Sequence, residues 1–239
     1  QLKNTRKSNY FNHMQNLGII AALKDEVKNI LENPFFNWQE IKPNVFHSLQ
    51  YKLYLVIPGV GKANAVSGLS KIIDKVPRIF ILGTSGGLNA EKIGALYLSL
   101  EFVEHDMDAS GLGFPKGVTP FDDIKDVVIS NYSRQTVTQI KNICQKLNLA
   151  LNFGRTISGD QFLANPVLST QKRTAFEAQL VDMESAAIAK ICKKEGKKVL
   201  ALRYIADNAN HDSGTSWTKN VLASSKIFNQ ILEGLCVKS

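Results

Sequence analysis

The sequence has 239 residues, 44% hydrophobic and 21% charged, which is the composition of a globular protein and the length of one ordinary domain. No apolar run approaches the ~20 residues that span a bilayer, and 16 glycines with 7 prolines exclude a collagen-like chain. Lysine and arginine total 29 against 21 aspartates and glutamates, a net charge of +8 that speaks to a soluble protein with a basic surface.

Residues 1–16 read as a basic extension carrying Lys3, Arg6 and Lys7, without the apolar core of a signal peptide. The domain proper is expected over 17–239. A cytoplasmic location is expected, or export if a signal was removed before Gln1. Residues 17–23 are apolar and predict a buried strand. KDEVKNIL follows as a first helical turn with acids near its start. Residues 51–57 predict a second strand, ended by Pro58-Gly59, and 62–76 predict a helix with Ala65, Val66, Leu69, Ile72 and Ile73 on its buried side. Residues 78–82 predict a strand running into the turn Gly83-Thr84-Ser85-Gly86-Gly87, and 95–103 another strand. The glycine- and proline-bearing stretch 104–125 reads as a long loop, of the kind that usually has a function.

Further along, 136–147 predict a helix, 149–157 a strand, and 184–195 a helix stopped by Gly196. Residues 199–205 predict the last strand and 216–235 the last helix. Strands alternating with helices predict an α/β domain with a mixed or parallel sheet. Ligands of such sheets sit beyond the carboxyl ends of the strands. That rule selects 22–26, 58–62, 83–87, 158–163 and 206–210.

The glycine turns differ in what they can hold. Gly59-Val60-Gly61 has two glycines of a dinucleotide fingerprint, but Asn64 stands at the third, and no acid follows about 20 residues later at a strand end. Gly61-Lys62-Ala63 lacks the hydroxyl of a P-loop. The small residues of 83–87 let backbone N–H groups approach a bound group closely. Asp25, Glu26, Glu184 and Asp207 are acids at the ends of apolar segments, where burial tunes a carboxyl for proton transfer. Each also reads as a helix cap or a solvated acid, and Glu184 with Arg203 as a plain ion pair. Spacing alone does not bring these acids together. His105-Asp106 with Asp108 is too little for a metal site, since His47 and His211 are far away, so no metal or cofactor is expected. Cys144, Cys192 and Cys236 form no Cys-x-x-Cys pair, fall in apolar helix-like stretches and favour a reducing compartment.

Five stretches, GIIAALKDEV, PGVGKANA, GTSGGL, SGDQF and VDMESAAIA with LRYIADNA, resemble the 5′-methylthioadenosine/S-adenosylhomocysteine nucleosidase family of the nucleoside phosphorylase superfamily. The loop HDMDASGLGF matches as well, and the likeness runs over roughly residues 17 to 235. It implies a central mixed sheet, partly barrel-like and flanked by helices, in a homodimer whose partner completes each pocket. The implied reaction is hydrolysis of the N-glycosidic bond of 5′-methylthioadenosine and S-adenosylhomocysteine, releasing adenine and a 5-thioribose, and of the same bond in 5′-deoxyadenosine.

The resemblance also implies roles. Asp207 would protonate N7 of adenine, Glu184 would bind the ribose hydroxyls, and Glu26 would take a proton from the attacking water. Arg203 would orient that water and the carboxylates. Phe162 would stack on adenine, Leu163 would read the purine edge through its backbone, and Met183 would lie against the ribose. Val60, Leu23 and Trp217 would wall the 5′-substituent. Thr84 stands where a serine is common, and Leu112 is the loop residue offered by the partner subunit. Two departures stand out: Ala206 precedes Asp207 where a serine is usual, and Trp217 replaces a smaller aromatic. Two alternatives remain. A nucleoside phosphorylase would need arginines for phosphate, and Glu26 suits water better. A polyanion- or glycosaminoglycan-binding surface protein would use the clusters Lys3, Arg6, Lys7 and Lys190, Lys193, Lys194, Lys197, Lys198; these lack interleaved aromatics, so nucleic acid is not signalled.

Overall fold

Strand β5 (Arg78–Gly87) carries the organisation of the sheet in the computed structural model, which describes residues 16–89, 91–122 and 127–237. On one edge β10 (Lys198–Asp207) runs parallel to β5 along nearly its whole length, from Lys198 opposite Arg78 to Asp207 opposite Gly86. The other edge is shared. β1 (Leu17–Ile20) pairs there in parallel as far as Ile20 opposite Ile81, and β9 (Leu180–Asp182) joins antiparallel at Gly86 and Gly87. Residues 82–85 are left without a strand on that edge.

From β10 the sheet continues through antiparallel β6 (Leu96–Glu104) to β8 (Leu151–Ser158) and β9, which closes the ring on β5. From β1 it extends outward through β4 (Leu53–Val56), β3 (Val45–Ser48) and β2 (Gln39–Lys42). The short β7 (Val128–Ile129) pairs with β6. The expected mixed, partly barrel-like sheet is therefore present.

The first halves of the central strands β5 and β10 are mostly apolar because both faces are covered there. Side chains alternate across a strand. Phe80 and Leu82 of β5, with Leu200 and Leu202 of β10, join one core; Ile79 and Ile81, with Val199 and Ala201, join the other. The first core is sealed by α6 (Ser213–Cys236), through Phe228, Ile231 and Leu232, and by α1 (Lys28–Glu32) and α3 (Arg134–Lys146). The second is sealed by α2 (Lys62–Ser70) and α5 (Ser185–Lys194). No helix among the described residues is long and apolar enough to cross a membrane.

Several elements depart from the sequence expectations. The β2–β3 hairpin over 39–48 is unforeseen, because β2 is exposed at all four positions and its QEIK carries no apolar alternation. α4 (Pro166–Phe176) was likewise unsignalled by periodicity, yet its start has a local cause: the Asn165 side chain accepts the N–H groups of Val167 and Leu168, and Pro166 opens the first turn. The helix expected over 62–76 stops at Ser70 and resumes as a single 3-10 turn, Ile73–Lys75. Lys3, Arg6 and Lys7 of the basic extension lie outside the described residues.

Gly18 shows how tightly β1 is held. A Cβ there would stand 2.7 Å from Ile72 Cδ1 and 2.8 Å from Ile79 Cδ1. Overpacking of this kind costs about 1–3 kcal/mol. Gly18→Ala should therefore lower the thermal midpoint by several degrees, and adding Ile72→Val should recover part of the loss. An unchanged midpoint in Gly18→Ala would contradict the packing described.

Candidate active site

The unpaired stretch of β5 is where the site begins. With no strand beside it, the Thr84 N–H donates to Glu26 Oε1 at 2.7 Å, and the Thr84 hydroxyl donates to the same oxygen at 2.9 Å. The Leu23 N–H donates to Oε2 at 3.1 Å, so the 3-10 turn Lys24–Val27 folds its own glutamate back against the sheet. Gly83 allows this approach, since a Cβ there would lie 3.0 Å from Glu26 Oε1 and collide with the Arg203 guanidinium.

Arg203 stands on β10 opposite Gly83 and is 2% exposed. Its Nη2 pairs with Asp182 at the end of β9, its Nε donates to Ser85 Oγ at 3.0 Å, and Nη2 lies 3.9 Å from Glu184 Oε2. Asp182 Oδ1 accepts the Ser158 hydroxyl at 2.5 Å and the N–H groups of Glu184 and Ser185 at 3.1 Å each. Asp182 thus fixes the turn into α5 that carries Glu184. Glu184 Oε1 in turn accepts the Gly61 N–H at 2.9 Å, at the start of α2. Asp207 ends β10, and its Oδ1 accepts the Ala209 N–H at 2.8 Å. Its hydroxyl partner is Ser213 of α6 rather than residue 206.

Glu26, Glu184 and Asp207 open onto one cavity of about 230 Å³. Each is at most 8% exposed. Leu23, Val60, Thr84, Phe162, Leu163, Met183 and Trp217 line the same cavity. Two expected residues do not. Arg203 sits behind the wall, where it holds carboxylates and does not face the cavity. Leu112, in the turn Ser110–Leu112, is 70% exposed and lies outside its own chain's cavity. Ser85, Gly86 and Gln161, from the stretches 83–87 and 158–163 selected above, also line the cavity, and so does Asp182, which was not foreseen. An acid just before a helix start, free to cap it, is the signal that could have found Asp182.

Burial dominates the electrostatics. It pushes Glu26 above the ordinary carboxyl value, against the pull of Arg203 and of the Thr84 and Leu23 hydrogen bonds. Burial first, and the Asp182 charge next, push Glu184 up to about 7. Burial raises Asp207 as well, against the Ala209 and Ser213 hydrogen bonds.

Other groups singled out in the sequence turn to separate partners. Asp106 pairs with Lys62 at 2.7 Å and accepts the Asp160 N–H, while Asp108 holds Ser110 and Lys116. Burial pushes the thiols of Cys144, Cys192 and Cys236 up to about 11, 12 and 12. In the lysine cluster, Lys190 pairs with Glu104 and Lys194 with Asp122, each at 2.8 Å.

The model of the phosphorylase superfamily matches residues 16–238. The chain belongs to the phosphorylase superfamily. Among superfamily relatives, the aminodeoxyfutalosine nucleosidase of Helicobacter pylori is 29% identical over 234 residues, covering 93% of this chain and all of the relative. The 5′-methylthioadenosine/S-adenosylhomocysteine nucleosidase of Staphylococcus haemolyticus is 28% identical over 230 residues, covering 92% and 98%. In structure, the S-adenosylhomocysteine nucleosidase of Streptococcus pyogenes, in complex with 5-methylthiotubericidin, superposes with a TM-score of 0.83 at 27% identity, covering 94% of this chain and 96% of that one.

The raised Glu184 has a consequence for stability. Its folded state prefers the neutral form, so its contribution is fully present below the ordinary 4.5 and is lost as pH rises through about 7. Glu184→Gln removes that dependence. The thermal midpoint of Glu184→Gln relative to the parent should rise by several degrees between pH 5 and pH 8, corresponding to roughly 3 kcal/mol at most. A constant difference across that range would contradict the assignment.

Proposed function

We propose that this chain is an N-glycosyl hydrolase of 5′-substituted adenosines. Its substrates are 5′-methylthioadenosine and S-adenosylhomocysteine, with 5′-deoxyadenosine beside them. The observation that carries the reading is the convergence of three buried carboxyls on one cavity with an apolar wall. Adenine leaves poorly until N7 is protonated. Asp207, held towards its neutral form by burial, is suited to bring that proton. As the bond breaks, the ribose gains oxocarbenium character, which nearby negative charge stabilises more than it does the ground state. In this reading Glu184 binds the ribose hydroxyls, and Glu26 takes a proton from the attacking water. Phe162 would cover the adenine face, and Leu23, Val60 and Trp217 the 5′-substituent.

Water suits this cavity better than phosphate. The Thr84 N–H that could greet an anion already holds the Glu26 carboxylate, and Arg203 is spent on Asp182 behind the wall. A phosphate dianion would meet carboxylates where it needs donors. One observation favours a further substrate. The aminodeoxyfutalosine nucleosidase of Helicobacter pylori matches over as much of the chain as the methylthioadenosine enzymes do, and Val60, 42% exposed on the wall given to the 5′-substituent, leaves that end open to a larger group. The same reading takes the chain as a homodimer in which the exposed Leu112 meets the second copy's pocket.

The test is release of the free base from 5′-methylthioadenosine, S-adenosylhomocysteine and aminodeoxyfutalosine in phosphate-free buffer. Rates unchanged by added phosphate are expected; a ribose-1-phosphate product would overturn the hydrolase reading. Asp207→Asn and Glu26→Gln should each lower kcat by ~10²–10⁴-fold while a substrate analogue still binds. Parent-like turnover in either variant would remove the role given to that residue. Because Asp207 works protonated and Glu26 ionised, kcat should fall on both the alkaline and the acid side.

A further inference from the structure

We propose that Trp217 is a positioning residue for Glu26 and acts through the hydroxyl of Thr84. The proposal rests on the reading of Glu26 as the base. The Trp217 indole Nε1 donates to Thr84 Oγ1 at 3.0 Å, and Thr84 Oγ1 donates to Glu26 Oε1 at 2.9 Å. An indole N–H only donates, so it occupies a lone pair of the hydroxyl and leaves the single hydroxyl hydrogen for the carboxylate. Bonds in such a chain polarise one another, so the indole strengthens the hydroxyl's bond to Glu26.

The relay ties α6 to β5 and, through it, to the turn that carries Glu26. Trp217 stands near the start of α6, Thr84 lies on the unpaired stretch of β5, and Glu26 lies within the turn Lys24–Val27 that follows β1. Both Thr84 donors, the hydroxyl and the N–H at 2.7 Å, converge on the same oxygen of Glu26. The seating of α6 is thereby coupled to the base. A phenyl ring at 217 could fill the same wall but could not make this bond.

Several charged groups face Glu26, and the indole acts alongside them. Arg203 comes from β10 and favours the ionised form; Glu184 comes from the turn after β9 and opposes it; Asp182 stands behind, paired with Arg203. The group that α6 contributes is the uncharged indole. Losing the relay weakens a bond to the ionised carboxylate, so the Glu26 titration should move to higher pH. A pocket that merely became wetter would move it the other way, because burial is what raises it.

The experiment follows Glu26 by carbon-13 carboxyl NMR, assigned with Glu26→Gln, alongside the pH profile of kcat. Trp217→Phe should raise the Glu26 titration by about 0.3–0.5 pH unit. Thr84→Val should raise it by about one unit or more. Trp217→Phe should add nothing on the Thr84→Val background, and the acid limb of kcat should follow each shift. No shift, a downward shift, or the same shift from Trp217→Phe in both backgrounds would overturn the relay. If the Glu26 titration moves as stated while the acid limb stays, the relay stands and the role of Glu26 as base falls.

Discussion

A single buried guanidinium governs this site. Arg203 is almost fully enclosed, and a charge in that position persists only with a partner and filled hydrogen bonds. Asp182 and Ser85 supply them. Asp182 also holds the turn into α5, so one carboxylate both neutralises the arginine and aims Glu184. Two further acids, Glu26 and Glu184, lie within the field of the same cation but do not own it. Burial therefore wins over attraction in both, and their protons are held more tightly than in water. Asp207 stands four residues further along the same strand, apart from the guanidinium, and is raised by burial with only neutral donors against it.

The backbone makes room for this charge cluster by an irregularity in the sheet. β1 leaves β5 early and β9 arrives late, which frees the Thr84 N–H for a side chain. A continuous ladder would have spent that donor on a neighbouring strand. The small residues of 83–87 then let Glu26, Arg203 and the cavity come within hydrogen-bond distance of the strand. The position of the candidate site and the sheet topology are one arrangement here: the site sits where the ring of strands and its lateral extension part company.

Much of the fold was legible in the sequence. The strands at 78–82 and 199–205 are doubly buried, and the apolar runs 79–82 and 199–202 within them announce it. The exposed β2 carries no such pattern, and α4 shows itself only in its Asn-Pro start. At the site, the acids at strand ends were visible as types, but Glu26, Glu184 and Asp207 are far apart in the chain, and nothing local draws them together; the motif resemblance did. Asp182 and the burial of Arg203 were not legible, because their pairing is set by the antiparallel return of β9, a three-residue strand. The Trp217–Thr84 bond depends on how α6 seats against β5, which no local pattern encodes.

The most direct measurement is a crystal structure of Asp207→Asn grown with 5′-methylthioadenosine. The account predicts that adenine N7 lies within hydrogen-bond distance of the substituted side chain, that both ribose hydroxyls lie on Glu184, and that an ordered water bridges Glu26 to the anomeric carbon. A nucleoside bound with its base away from position 207, or with its ribose reaching neither glutamate, would contradict it.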